Sequence, residues 1–375
     1  MRRNYTTLFA SFIFGILIVS CGASLESPLQ NTTTPTSSTN LPLVIKPYPH
    51  PSNDWDFSIG EPLLVPDNPN VPVYQWFPDG HISVLQEDSD NWMMFWAEFE
   101  SYRSVGAAPY PENQIILSPN TKVFGGRGGS GWDNGGSWLN SVFRLSGENL
   151  VGFYHAEDHW SPPNPDGIAW KSIAVTYSND NGVTWADGEQ IITAWKPKPA
   201  TPEWGGAGDH SVLWDTENQR WVCYYQEQVD NGEAQIHVAV SSDLHGSPGT
   251  WHKWDGSDFT IPGIGGKGAP LPAFIGHEGG NPSVHWNSYL GKWVMVYGGW
   301  DGIIYIASSA DMINWDMPQT LVSSDQGGRA WYPTIIGDKG DTLAGQTAHL
   351  YYADIASNFS SRKFYMRTIA FTRND

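Results

Sequence analysis

The stretch "GFYHAEDHW" at 152–160 places His155, Glu157, Asp158 and His159 within five positions. No other stretch of the chain is so dense in groups that can give or take a proton. Two chemistries suit these residue types. Neutral imidazoles and carboxylates converging on one point would hold a metal ion. A protonated carboxyl beside an ionised one would perform acid–base catalysis. On an extended strand His155, Glu157 and His159 share a face, because side chains alternate. The zinc motif with two histidines one helical turn apart does not apply, since Phe153 and Tyr154 lead in as a strand. The expectation is therefore a polar catalytic cluster and no metal.

The elements that must position this cluster are strands. Helical periodicity is nearly absent. Short runs rich in β-branched and aromatic residues recur between Gly, Pro, Asn and Asp clusters, the mark of an all-β chain. The same order repeats five times. The units open with "DGHISVLQ", "GGSWLNSVFRL", "GDHSVLWD", "GNPSVHWN" and "WYPTIIGD". Their second strands are "WMMFWAEF", "NLVGFYHAEDHW", "RWVCYYQEQ", "KWVMVYGGW" and "AHLYYADI". Their third strands read "NQIILSPN", "KSIAVTYSNDNGVTW", "IHVAVSSDLHG", "IYIASSADMINW" and "KFYMRTIAFTRND". Units of roughly 50 to 70 residues with three strands and room for a fourth predict a five-bladed β-propeller. Two β-sandwiches would not explain the fivefold order.

Propeller geometry sharpens the site. The innermost strand of each blade starts at the ligand face, and the second strand ends there. Residues opening the units are Asp79 with His81, Asp133 with Trp138, Asp209 with His210, Asn281, and Trp331 with Tyr332. Residues ending the second strands are Glu98, the 155–159 cluster, Glu227, Trp300 with Asp301, and Asp354. Acids interleaved with aromatics around one mouth suit a sugar, with carboxyls moving protons and rings stacking on apolar sugar faces. The catalytic candidates are Asp133, Glu157 and Asp209. Glu157, crowded by carboxylates, is the expected acid, and Asp209 or Asp133 the expected base. His155, Asp158, His159, His210, Trp138, Asn281, Trp300, Asp301, Trp331 and Tyr332 are expected to bind substrate. Trp92, Trp221 and Trp293 repeat at one strand position and are expected in the core.

In blade order over residues 55–375 the chain resembles the five-bladed propeller glycosidases of families 43, 62, 32, 68, 117 and 130. "SNDNGVTW" at 178–185 matches the Asp-box turn of sialidases, whose role is structural. The resemblance implies three acids on successive innermost strands, with Asp133 and Asp209 in comparable places and Asp79 as a third candidate. The sequence departs from family 43, which uses a Glu as acid, because no Glu opens the third unit. It departs from family 32 because Asn281 stands where an Asp would be. The expected activity is hydrolysis of glycosidic bonds, with inversion, in a neutral polysaccharide or its oligomers. A lyase with His155 or His210 as base and a Tyr as acid, a phosphorylase, and a non-catalytic glycan-binding propeller are the alternatives. No cofactor is required. Some relatives hold a calcium ion in the central channel, and no residue pattern here identifies such a site.

The rest of the chain sets the context. Arg2, Arg3 and an apolar run to Val19 read as an export signal over 1–20. "IVSCG" looks like the lipobox of bacterial lipoproteins, with Cys21 as the lipidated residue. A Ser/Thr/Pro-rich tether over 21–53 cannot bury enough surface to fold, and the catalytic domain is expected over 54–375. This makes the protein an exported lipoprotein on the cell surface or periplasmic side, a monomer touching membrane only through its anchor. Beyond Cys21 only Cys223 remains, so no intrachain disulfide is expected. Lys and Arg total 20 against 39 Asp and Glu, a net charge of −19. That excludes nucleic acid, and it excludes an anionic substrate unless a local Arg cluster overrides the global field.

Overall fold

The computed structural model describes residues 54–65, 78–98, 100–115, 122–124, 131–161, 168–229, 234–357 and 361–374. The export signal, Cys21 and the tether lie outside the described residues.

The chain is all-β and forms five blades. Trp55–Ile59 (β1) and Leu63–Leu64 (β2) come first. Blade 1 holds Ser83–Gln86 (β3), Trp92–Glu98 (β4), Glu100–Gly106 (β5), Gln114–Ile115 (β6) and Lys122–Phe124 (β7). Blade 2 holds Gly136–Ser146 (β8), Asn149–Asp158 (β9), Trp170–Ser178 (β10) and Glu189–Thr193 (β11). Blade 3 holds Gly205–Asp215 (β12), Arg220–Gln228 (β13), Gln235–Ser241 (β14), His252–Trp254 (β15) and Phe259–Pro262 (β16). Blade 4 holds Gly279–Asn287 (β17), Lys292–Gly299 (β18), Ile303–Ser309 (β19) and Gln319–Ser323 (β20). Blade 5 holds Arg329–Ile336 (β21), Thr347–Ile355 (β23) and Arg362–Arg373 (β24), while Leu343–Ala344 (β22), between β21 and β23 in the chain, pairs in parallel with β17 of blade 4.

Each blade is an antiparallel meander. Blade 5 takes its fourth strand from the start of the described chain: β1 pairs with β24, Trp55 opposite Arg373 and Ile59 opposite Ile369. This closes the ring. In blade 1 the strand that follows β4 is β5, and of "NQIILSPN" the described residues Gln114 and Ile115 pair with β5. Blades 2 and 3 merge at the rim, where Lys171 of β10 pairs in parallel with Gly206 of β12.

The apolar residues form one layer between each pair of neighbouring blades. Met93, Phe95, Leu139 and Tyr154 fill the layer between blades 1 and 2. Val294, Val296, Leu350 and Tyr352 fill that between blades 4 and 5. Ile82, Val84, Ile336 and Tyr351 close the circle between blades 5 and 1. A strand buried on both faces needs apolar residues on both parities, so β18 sends Val294 and Val296 one way and Met295 and Tyr297 the other. Trp92 and Trp221 are buried, and Trp293 packs against the blade 3–4 layer.

Around the axis, buried hydroxyls tie one innermost strand to the next. Ser83 Oγ accepts the Val142 N–H, Ser141 Oγ that of Val212, Ser211 Oγ that of Val284, and Thr334 Oγ1 that of Ile82. Ser141→Ala strands the buried Val212 N–H, which costs about 1–3 kcal/mol. Urea unfolding is expected to show this as a lower midpoint with an unchanged slope.

The turn at 178–185 is held from inside. Asp180 accepts the Thr184 N–H and hydroxyl, and Ser178 Oγ accepts the Gly182 N–H. Gly182 sits at φ +81 with its α-carbon against the Phe95 ring, so a side chain there meets both strain and a clash. The turn at 309–315 repeats the bonds, with Met312 at φ +70 in the glycine's place. A third copy went unread in the sequence. Ser241, Asp243, Gly246 and Trp251 make the same pattern with a longer loop, and Trp251 Nε1 donates to the Gly246 carbonyl.

Candidate active site at the central cleft

The innermost strands share an irregularity. Register shifts fall at 208–210 in β12, at 280–283 in β17 and at 331–334 in β21. At each the bulged residue is left-handed without being glycine: Asp209 at φ +43, Asn281 at +56 and Tyr332 at +53. A bulge re-aims a side chain, and such strain concentrates at functional sites. Asp209 and Tyr332 both line a cleft of about 290 Å³. Lys171, Trp204, Trp300, Arg329, Trp331, Ile355 and Arg362 complete its wall. Asn281 is 4 % exposed and lies off the lining, so its bulge does not deliver it to a substrate.

Behind the wall two acidic residues, Glu157 and Asp209, are linked through one imidazole. His155 Nδ1 accepts the backbone N–H of Asp209 at 2.9 Å. Nε2 is then the protonated nitrogen, 3.4 Å from Glu157 Oε1. His159 Nε2 binds the other oxygen of Glu157 at 2.9 Å. Asp209 continues outward: Lys171 Nζ lies 3.4 Å from its Oδ2. Gln226, with its amide turned to suit both neighbours, donates to Asp209 at 3.0 Å and accepts from Lys171 at 3.2 Å. Gly208 is required beside this chain, because a β-carbon there would stand 2.6 Å from His155 Nδ1. Glu157 and Asp209 are thus joined through His155 rather than facing each other across open space.

Asp79 is the third acid. Its Oδ2 accepts Trp138 Nε1 at 3.0 Å, and Oδ1 lies 3.3 Å from Arg362 Nη1. The Tyr332 hydroxyl also reaches it. The Trp138 ring in turn meets His155 edge-on at 5.0 Å.

The acids sit in opposite fields. Burial raises the Asp79 carboxyl above its ordinary value and Glu157 adds to the rise, against the lowering effects of Arg362 and Trp138. Burial alone would raise Glu157 as well. Hydrogen bonds from His155 and His159 outweigh it and hold Glu157 at about 2. Glu157 was expected to be the acid; this environment is the reverse of what a proton donor needs. Its depressed value also bears on stability. The contribution is complete above the unfolded-state value near 4.5 and is lost as pH falls towards about 2. Acid unfolding is therefore expected to be shallower in Glu157→Gln than in the wild type.

Other expected residues are placed elsewhere. Asp133 is fully buried and accepts the Tyr154 hydroxyl in the layer between blades 1 and 2, so it cannot meet a substrate. Asp158 pairs with Lys198 at 2.6 Å, away from the lining. Asp301 is exposed and caps its own turn, accepting the Ile303 N–H and the Tyr305 hydroxyl. His210 is 1 % exposed and burial pushes its imidazole down to about 3. His159 is buried and turned onto Glu157. Glu227 holds buried Lys253 at 3.2 Å, and Asp354 holds Ser324 and the Asp325 N–H, both structural ties. The Glu98 side chain lies outside the described residues. Trp300 and Trp331 line the cleft with ring centroids 5.1 Å apart. Among the described residues no group of three or more His, Cys, Asp or Glu side chains is arranged to hold a metal ion. His155 and His159 both direct Nε2 at Glu157 instead of at a shared point.

Lys171, Arg329 and Arg362 were missed. Lys171 is the second residue of β10 and Arg362 the first of β24. Third strands start at the same face where second strands end, a rule that would have found both.

No protein-family model matches the chain, and no curated protein does. Solved structures do. The catalytic domain of a family 62 α-L-arabinofuranosidase from Coprinopsis cinerea is 12 % identical, with 84 % of this chain and 97 % of that one covered at a TM-score of 0.48. A thermostable family 43 glycoside hydrolase is 14 % identical over 85 % and 90 % of the chains at 0.46. A glycosyl hydrolase from Bacteroides ovatus is 15 % identical over 69 % of each chain at 0.41.

Proposed function

We propose that the central cleft hydrolyses glycosidic bonds by carboxyl acid–base catalysis, with Asp79 as acid and Asp209 as base. The observation carrying this reading is the opposed pair: burial and a nearby negative charge raise Asp79, while two histidines hold Glu157 low. Carboxyls pushed apart by their surroundings mark different roles, and Asp209 is the acidic residue that lines the cleft, where it can meet the attacking water. Asp79 keeps its proton until the departing sugar oxygen takes it. Asp209, beside the Lys171 ammonium, removes a proton from the attacking water. Glu157 stays ionised, favours the protonated form of Asp79, and offsets the positive charge that develops on the sugar ring. His155 acts through others. It fixes the Asp209 backbone and orients Glu157.

A β-elimination needs a base, and the histidines named for one are committed. Nδ1 of His155 is occupied by the Asp209 amide, and His210 is buried. Incubating the domain with a panel of glycans tests hydrolysis by the appearance of reducing ends. Products absorbing as unsaturated uronates would overturn it in favour of a lyase. Saturable binding with no new ends would overturn it in favour of a lectin.

We also propose that the chain is exported and anchored through Cys21, on the strength of "IVSCG". Labelled palmitate is expected to enter the wild type and not Cys21→Ser.

A further inference from the structure

We propose that the substrate is acidic: the cleft takes a glycan bearing a carboxylate or sulfate on the sugar it holds. The inference rests on the glycosidase reading and names its substrate class.

The cleft reverses the charge balance of the chain. Overall the chain has 39 acids to 20 cations. Among the cleft's lining residues there are three cations, Lys171, Arg329 and Arg362, and one acid, Asp209, with Asp79 behind Arg362 and Glu157 behind His155. They come from β10, β21 and β24, so only the closed ring of blades assembles them.

Each cation also lies over a cleft aromatic. Lys171 Nζ stands 5.2 Å from the centre of Trp204. The Arg329 guanidinium stands 5.8 Å from Trp300 and 5.5 Å from Trp331. Arg362 stands 5.2 Å from Tyr332. These ring faces are covered by charge, so a neutral sugar finds little bare aromatic surface to stack on. An anion finds donors held by the rings beneath them, and the guanidinium fork matches carboxylate and sulfate oxygens in pairs. The fields of charges on the outer surface are screened beyond about 8 Å at physiological salt, so the local cations decide at the cleft.

Arg362 couples this grip to the chemistry. It is the cation beside Asp79. An anion on Arg362 competes with the Asp79 carboxylate and leaves Asp79 easier to keep protonated. An acidic substrate therefore helps to prepare its own proton donor.

The test is calorimetric binding to matched glycans: uronate oligosaccharides, the same oligomers after carboxyl reduction, and sulfated neutral oligomers. Reducing ends are measured in the same samples. Tighter binding of an acidic member than of its neutral match by at least about tenfold is expected. Preference for the uronate or for the sulfated set identifies the anion. Arg329→Gln should abolish the preference, and Arg329→Lys should keep part of it, each with an unfolding midpoint near the wild type. Binding of neutral members only, of acidic and neutral members equally, or of none overturns the inference. Acidic preference without reducing ends upholds it and overturns the hydrolytic reading instead. Cleavage of neutral glycans without acidic preference does the opposite.

Discussion

Asp79→Asn is expected to lower kcat on an unactivated glycoside by about 10²- to 10⁴-fold, the usual worth of a general acid. The amide keeps the shape of the side chain and can still face Trp138 and Arg362, but it has no proton to give. The pH profile should change with it. A donor acts only while protonated, so wild-type activity falls as pH rises through the Asp79 value, which burial places above 3.8. That alkaline limb should vanish in Asp79→Asn. A structural role would instead lower the unfolding midpoint and leave the limb in place. Glu157→Gln gives a companion result of definite sign. Removing the charge that helps to raise Asp79 should move the limb to lower pH.

Asp209→Asn is expected to cause a loss of similar size, about 10²- to 10⁴-fold in kcat. Adding azide separates this residue from Asp79. A small anion can take the place of the missing base or of the attacking water, so azide should restore turnover to Asp209→Asn with a glycosyl azide as product. Substrate affinity should fall only modestly, because Trp300, Trp331 and Arg329 remain in place. If Asp209→Asn keeps its full kcat and loses only affinity, Asp209 is a binding residue.

The fold was legible because the propeller repeats a local pattern. Turn cluster, "SV" strand and aromatic strand recur in each unit, and no long-range information is needed to count five. The errors fall where pairing is not local. "WDFSI" at 55–59 joins blade 5 across more than 300 residues, a distance no window of sequence spans. "NQIILSPN" looked more like a strand than "ESYRSVG", because β-branched residues outweigh Ser and Arg on any propensity scale. β5 wins through its pairing with β4.

The site was half legible. Asp209, Tyr332, Trp300 and Trp331 reach the cleft from unit openings and second-strand ends, as rim geometry requires. Asp133 fits the same rule and is nonetheless buried, because β8 begins only at Gly136 and the preceding turn folds Asp133 onto Tyr154. Asp79 ranked below it in the sequence, since nothing local reveals that Arg362, Trp138 and Tyr332 will gather around it from three other parts of the chain. The expectation of a neutral substrate rested on net charge, which is blind to the residues that gather at the cleft. A net charge of −19 describes the surface as a whole, and says nothing about three cations brought together by ring closure.

In "GFYHAEDHW" both histidines turn onto Glu157. Its glutamate is a fixed charge, and its first histidine is the strut between that charge and Asp209. The central claim is that Asp79 protonates the leaving group. The most direct measurement is kcat/KM of the wild type and Asp79→Asn on aryl glycosides of the accepted sugar, with leaving groups from alkyl-like to dinitrophenyl. The account predicts a large defect for poor leaving groups that shrinks towards none for dinitrophenol, which departs without a proton. A defect equal across the series would contradict it.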